Sequence, residues 1–124
     1  MQPLSLLALY EGYVTVYRGW ERRGSIPLTR LQQLERHHAH VGLFLEQQQT
    51  QPLPAQAFGP EHATRFYAWL LDTQHYPPVR AVQHLRRVQR VLWWGLERGY
   101  VSGNPLAGFR YRDLPHALYH LPAN

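Results

Sequence analysis

The 124-residue chain contains no cysteine and no lysine, has a single methionine, and carries only eight acidic residues. Each shortage removes a class of chemistry. Without cysteine there is no disulfide framework, no thiolate zinc site and no thiol nucleophile. Without lysine there is no Schiff base, no P-loop lysine and no lysine base. Long apolar runs are also missing. The Pro3–Leu9 stretch falls well short of the roughly 20 residues that a bilayer crossing needs. It lacks the basic flank of a signal peptide and soon meets Glu11, so the sequence reads as a soluble cytoplasmic protein. What remains is a globular composition, 44% hydrophobic and 17% charged, in a length that supports its own core.

The 13 cations, all arginine, give a formal net charge of +5. They are unevenly spread. Residues 1–62 balance five arginines against five glutamates, so the whole +5 lies in residues 63–124, where eight arginines face Asp72, Glu97 and Asp113. Such asymmetry favours a polyanionic partner, nucleic acid ahead of acidic lipid. A basic surface left by an arginine-rich coding bias is the plainer alternative.

Four segments carry a helical apolar period. The first runs from Ser5 to Arg22, with Leu6, Tyr10, Tyr13, Val14 and Tyr17 on one side, and ends at Gly24-Ser25-Ile26-Pro27. The second begins at Thr29, where Thr29-x-x-Gln32 reads as a capping box. It continues to about Gln48 with Leu31, Leu34, Val41, Phe44 and Leu45 on a stripe. Pro52 and Pro54 then make the Gln-rich stretch Gln47–Gln56 a loop. The third starts at Gly59-Pro60, places Ala63, Phe66, Tyr67 and Leu70 together, and ends near Thr73. The fourth is opened by Pro77-Pro78 and closed by Gly99. These four segments predict an all-α chain.

The fourth helix is the most informative. At about 100° per residue, Ala81, Leu85, Val88, Leu92, Gly95 and Leu96 fall within one arc, and Gly95 there predicts close approach of a neighbouring helix. The opposite side carries Arg80, Gln83, Arg86, Arg87, Arg90, Trp94 and Arg98, with no acid between Asp72 and Glu97. Arginine pairs phosphate oxygens bidentately or reads guanine, and glutamine reads adenine. The amides of the first turn, Pro77–Val82, add a second anion-binding element. The competing reading is a solvated face whose arginines pair with acids elsewhere in the fold, and it is weakened by the scarcity of acids in this half. A membrane surface fits less well, because the side opposite the arginines is committed to a core.

Other constellations are weaker. His37-His38-Ala39-His40 invites a metal, yet no cysteine or suitably spaced acid completes a ligand set, and His38 on the Leu34–Val41 stripe reads as a packed core histidine. His116-x-x-x-His120 has helical spacing but is hemmed in by Pro115 and Pro122. The tyrosines and tryptophans could stack on single-stranded bases. Most lie on apolar stripes, which favours core packing. Trp94, among the arginines, is the exception and is placed to meet another helix or a further domain. No metal, cofactor or small-molecule substrate is expected.

The stretch Val88–Leu106, VQRVLWWGLERGYVSGNPL, resembles the last helix and turn of the core-binding domain of phage-integrase-type tyrosine recombinases. Thr29–Leu45 resembles that domain's first helix. Phe58-Gly59-Pro60-Glu61 with Phe66-Tyr67-Ala68-Trp69-Leu70 resembles its second. Leu6–Trp20 resembles the leader helix of the Bacteroidetes type. The resemblance covers roughly residues 6–110 and implies a compact, SAM-like bundle of four to five helices that clamps one side of duplex DNA. It implies a leader helix over 1–24, a core-binding domain over 25–108, and a linker over 109–124. It nominates Thr29, Arg30, Gln33, Arg80, Gln83, His84, Arg87 and Arg90 as DNA-binding residues. It also implies contacts with other recombinase protomers and association with the nucleoid.

The catalytic half of that family uses two arginines, a lysine, histidines and a nucleophilic tyrosine. Arg18-Gly-Trp-Glu21, His84-Leu-Arg-Arg87 and Tyr111 or Tyr119 imitate pieces of the set, but the lysine and the context before the tyrosine are missing. Arg110–His116 resembles the linker, and Tyr119-His120-Leu121-Pro122 falls near the entry to a catalytic domain. The expectation is a chain that grips DNA without cutting it. The alternative from another class is a helical protein-interaction module whose arginine face binds an acidic partner.

Overall fold

Serine, glycine and proline punctuation sets where the helices begin and end. The computed structural model describes residues 4–48 and 52–114, and the described chain forms α1 (Leu6–Arg22), α2 (Leu28–Gln47), α3 (Pro60–Asp72) and α4 (Pro78–Glu97). Short 3-10 turns occupy Ala55–Ala57 and Tyr111–Asp113. The Ser5 hydroxyl oxygen caps α1 by accepting from the Ala8 amide at 3.1 Å. Pro60 and Pro78 stand in the first turns of α3 and α4, where a missing N–H costs nothing.

The expected capping box at Thr29 does not form. Pro27 is the cap residue of α2, with φ −72° and no side-chain cap bond, so the helix is under way at Leu28 and Thr29 lies inside its first turn. A threonine there cannot reach forward to an unpaired amide as a capping residue does.

Two helices end alike. Gly24 and Gly99 adopt φ of +78° and +77°, which lets Ser25 N–H donate to Trp20 O and Tyr100 N–H to Gly95 O, each at 2.8 Å. Only glycine enters this left-handed region without strain. α3 closes similarly through His75 at φ +58°, with Tyr76 N–H donating to Leu70 O at 3.0 Å.

α1 packs on α2 and α4, and α3 packs on α4 and α2. The core draws on every helix: Leu6, Leu9, Tyr10, Val14, Leu34, Val41, Phe44, Phe66, Leu70, Leu85, Val88 and Leu92 are buried. Each such Leu, Val or Phe side chain stabilises the fold by about 1.5–3 kcal/mol relative to exposure. The leader helix is thus integral to the bundle. Its first turn is tied to the loop after α2, with Leu6 N–H donating to Leu53 O at 2.8 Å and Ala55 N–H to Leu4 O at 2.9 Å.

The close approach expected at Gly95 is present. A Cβ built there would lie 2.8 Å from Leu9 Cδ1 on α1. One residue earlier, Trp94 rests against Gly12 and meets the Tyr13 ring edge-on at 5.3 Å. It meets another helix as expected, serving the α1–α4 contact, and the Arg98 guanidinium lies over its ring at 5.7 Å.

Beyond α4 the chain folds back. Val101, Leu106 and Leu114 are buried, Asn104 Oδ1 accepts from Leu106 N–H at 2.9 Å, and Gln89 Nε2 donates to Leu106 O at 3.1 Å. Tyr111 hydroxyl donates to Gln89 Oε1 at 2.5 Å, and the Arg86 guanidinium lies over the Tyr111 ring at 4.8 Å. Within the expected linker, Phe109 and Tyr111 pack against the core and Leu114 is buried in it. The rest of that linker, with His116, Tyr119 and His120, lies outside the described residues. Among the described residues no helix is long and apolar enough to cross a membrane.

Candidate nucleic-acid interface

α2 and α4 do not pack closely along their lengths, and a groove runs between them. It consists of two adjoining clefts that share Gln33 and Arg87. The first, about 380 Å³, is lined by Tyr13, Tyr17, Arg30, Gln33, Leu34, Arg87 and Arg90. The second, about 340 Å³, is lined by Gln33, Arg36, His37, Tyr76, Arg80, Gln83, His84 and Arg87. The helical period explains the arrangement: steps of three and four put Arg80, Gln83, Arg87 and Arg90 on one side of α4, and steps of three put Arg30, Gln33 and Arg36 on the facing side of α2.

The groove is cationic and contains no acid. Two ion pairs, Arg18–Glu35 at 3.0 Å and Arg65–Glu61 at 3.3 Å, use other arginines. Arg30, Arg36, Arg87 and Arg90 have no ion-pair partner among the described residues, and Arg80 stacks over the Tyr76 ring at 5.2 Å. Neither of these ion pairs neutralises an arginine of the groove. Tyr13 hydroxyl donates to Tyr17 hydroxyl at 3.1 Å on the wall of the first cleft. Burial and the Tyr17 contact push the Tyr13 pKa up, against a smaller opposing pull from Arg90 and Arg87, so its hydroxyl stays protonated.

A buried histidine system floors the second cleft. Tyr10 hydroxyl and His37 Nε2 are 2.7 Å apart, and His37 Nδ1 and His84 Nδ1 are 2.8 Å apart. His40 Nδ1 donates to Arg36 O at 2.8 Å, and Tyr76 hydroxyl and His40 Nε2 are 3.2 Å apart. Burial holds His37 well below the ordinary imidazole pKa, with His84 and Arg87 adding to the effect. The same cause, reinforced by His40, Arg87 and Arg80, lowers His84 to about 4. Both rings are neutral near pH 7.

The structure brings together every nominated residue except Thr29, which is exposed at the start of α2 and lines neither cleft. His84 needs a second correction. It was nominated with the exposed face, but only 7% of it is accessible, because its ring stacks on Tyr76 at 5.2 Å and its Nδ1 is engaged by His37. The core histidine on α2 is His37, at 0% exposure, and not His38, which is half-buried and stacks on Tyr10 at 5.3 Å. His84 of α4 meets His37 from across the groove, which position along α2 alone does not reveal. Arg86, expected on the same face, turns to Tyr111 instead.

The first turn of α4 offers less than expected. Pro77 and Pro78 have no N–H, and the Arg80 and Ala81 amides donate to Pro77 O at 3.0 and 3.1 Å, which leaves only the Val79 amide. Tyr13, Tyr17, Arg36, His37 and Tyr76 were not nominated but contribute to the groove. Arg36 had a signal, the three-residue step from Gln33; the tyrosines had none, since apolar stripes do not say which hydroxyl ends up at a rim. Among the described residues no group of three or more metal-binding side chains converges.

The fold and groove together define an all-α helical bundle with a cationic cleft between two helices. No protein-family model, curated protein or solved structure matches the chain.

Proposed function

We propose that the α2–α4 groove binds duplex DNA and that the chain is the core-binding domain of a phage-integrase-type tyrosine recombinase. The observation that carries this reading is the convergence of Arg30, Arg36, Arg80, Arg87 and Arg90 on one groove without an acid in it. Arginines drawn from two helices fit the phosphates that flank a groove of the duplex, and phosphate contact supplies affinity. Gln33 and Gln83 project from the same faces and present amide pairs suited to an adenine edge. In this reading the domain grips one side of a recombination half-site beside neighbouring protomers and works in the nucleoid. Strand cleavage is left to a separate domain that carries the lysine and nucleophilic tyrosine.

Fluorescence-anisotropy titration of a labelled duplex against salt tests the proposal. Four phosphate contacts give a log–log slope of about −3.6. Absence of duplex retention at low salt rejects DNA binding and leaves the acidic-protein reading of the same face.

A further inference from the structure

The Tyr10–His37–His84 chain has a direction that its hydrogen-bond chemistry dictates. Tyr10 is fully buried, and His37 Nε2 is its hydroxyl's hydrogen-bond partner. Leaving a buried O–H without an acceptor costs about 1–3 kcal/mol, more than leaving a phenolic lone pair unused. The hydroxyl therefore donates, and His37 Nε2 is the unprotonated nitrogen. A neutral imidazole holds its proton on one nitrogen, so His37 is protonated at Nδ1 and donates to His84 Nδ1. That bond requires His84 to carry its own proton on Nε2. The His84 ring lines the second cleft beside Arg36, Arg80 and Arg87.

We infer that His84 presents a fixed, neutral Nε2–H to an anionic oxygen in the second cleft, and that buried Tyr10 and His37 are positioning residues that hold this tautomer. The inference rests on the groove binding duplex DNA, which makes the oxygen that of a phosphodiester. Such oxygens only accept hydrogen bonds, so the opposite tautomer, with a lone pair at Nε2, repels the ligand that the arginines attract. The groups facing His84 are His37, His40 and Arg36 from α2, Tyr76 from the α3–α4 turn, and Arg80 and Arg87 on its own helix. None is an acid that would favour a charged ring.

Two measurements test this. The first is ¹⁵N NMR of the imidazoles in the wild-type chain without ligand. It should show His37 protonated at Nδ1 and His84 at Nε2; any other pattern overturns the assignment whatever the chain binds. The second is duplex titration of Tyr10→Phe, His84→Gln and His84→Asn, each checked for a cooperative melt. His84→Gln keeps an amide N–H near the Nε2 position and should bind within about twofold of wild type. His84→Asn reaches only as far as Nδ1 and should lose about tenfold, the equivalent of one hydrogen bond. Tyr10→Phe, at a residue that never touches the ligand, weakens the preference for Nδ1 protonation at His37 without reversing it, so it should lose less affinity than His84→Asn while its ¹⁵N spectrum keeps His37 protonated mainly at Nδ1. Equal binding by the Gln and Asn variants overturns the donor role even if Tyr10→Phe does not fold. Failure of the wild-type chain to hold duplex rejects the groove reading and this ligand together, while the wild-type NMR pattern still decides the tautomer.

Discussion

α4 forms one seam with α1 and another with α2, and the two are opposite in character. The α1 seam is closed: Gly95 has no side chain, Leu9 fills the space, and Trp94 packs on Gly12. The α2 seam stays open as two clefts, bridged underneath by His37 and His84 and walled by arginines and glutamines. Side-chain size and polarity explain the difference. A glycine opposite a leucine allows backbones to approach and exclude water, whereas arginines face to face repel each other and keep their hydration. One helix can therefore hold a domain together along one edge and stay available to a polyanion along the other.

The contrast is broken most severely from the closed side. Leu9→Ala should cost about 3 kcal/mol of stability, read from urea midpoints, because it opens a cavity at the Gly95 contact. Adding Gly95→Ala should recover part of that loss, since the new methyl enters the space Leu9 vacates; a purely additive pair refutes the contact.

The open side should respond to pH. His84 has its pKa lowered from 6.5 to about 4, so below pH 6.5 the unfolded chain takes up a proton that the folded chain refuses. Stability is then full above pH 6.5 and is lost as pH falls toward 4, by up to about 1.4 kcal/mol per pH unit for this ring. His37 acts in the same direction. His84→Gln should flatten the profile, and an unchanged profile would show that another group governs it.

Charge removal in the open seam should affect binding alone. Arg87→Ala or Arg90→Ala should weaken duplex affinity about tenfold and leave the melting temperature nearly unchanged. If both bind as wild type, the groove is not the interface. The smallest effect belongs to Arg86→Ala. Its cation–π contact with Tyr111 is worth about 0.5–1 kcal/mol of stability, and duplex binding should stay within about twofold.

Most of the helical framework was legible because its signals are local. Pro60, Pro78, Gly24 and Gly99 act on their own turns, and the observed helices lie within a residue or two of the expected ones. The capping box misled because Pro27 starts α2 before Thr29 can cap it. The arginine row of α4 was legible for the same local reason, as was the glycine at the close approach. His37, His38, His84 and Arg86 were harder. Each lies at the margin of an apolar or a polar arc, so its environment depends on where a neighbouring element crosses.

The sequence by itself determined which residues share a helix face, where each helix starts and stops to within a residue or two, and that the net charge belongs to the second half of the chain. These follow from backbone periodicity and from the conformational limits of proline and glycine. Only the tertiary structure decided that Arg30 and Arg36 of the neutral half join Arg80, Arg87 and Arg90 in one groove. It alone decided that two histidines from different helices meet beneath it. The reason is that contacts between helices depend on how closely each pair can approach, which no single helix specifies.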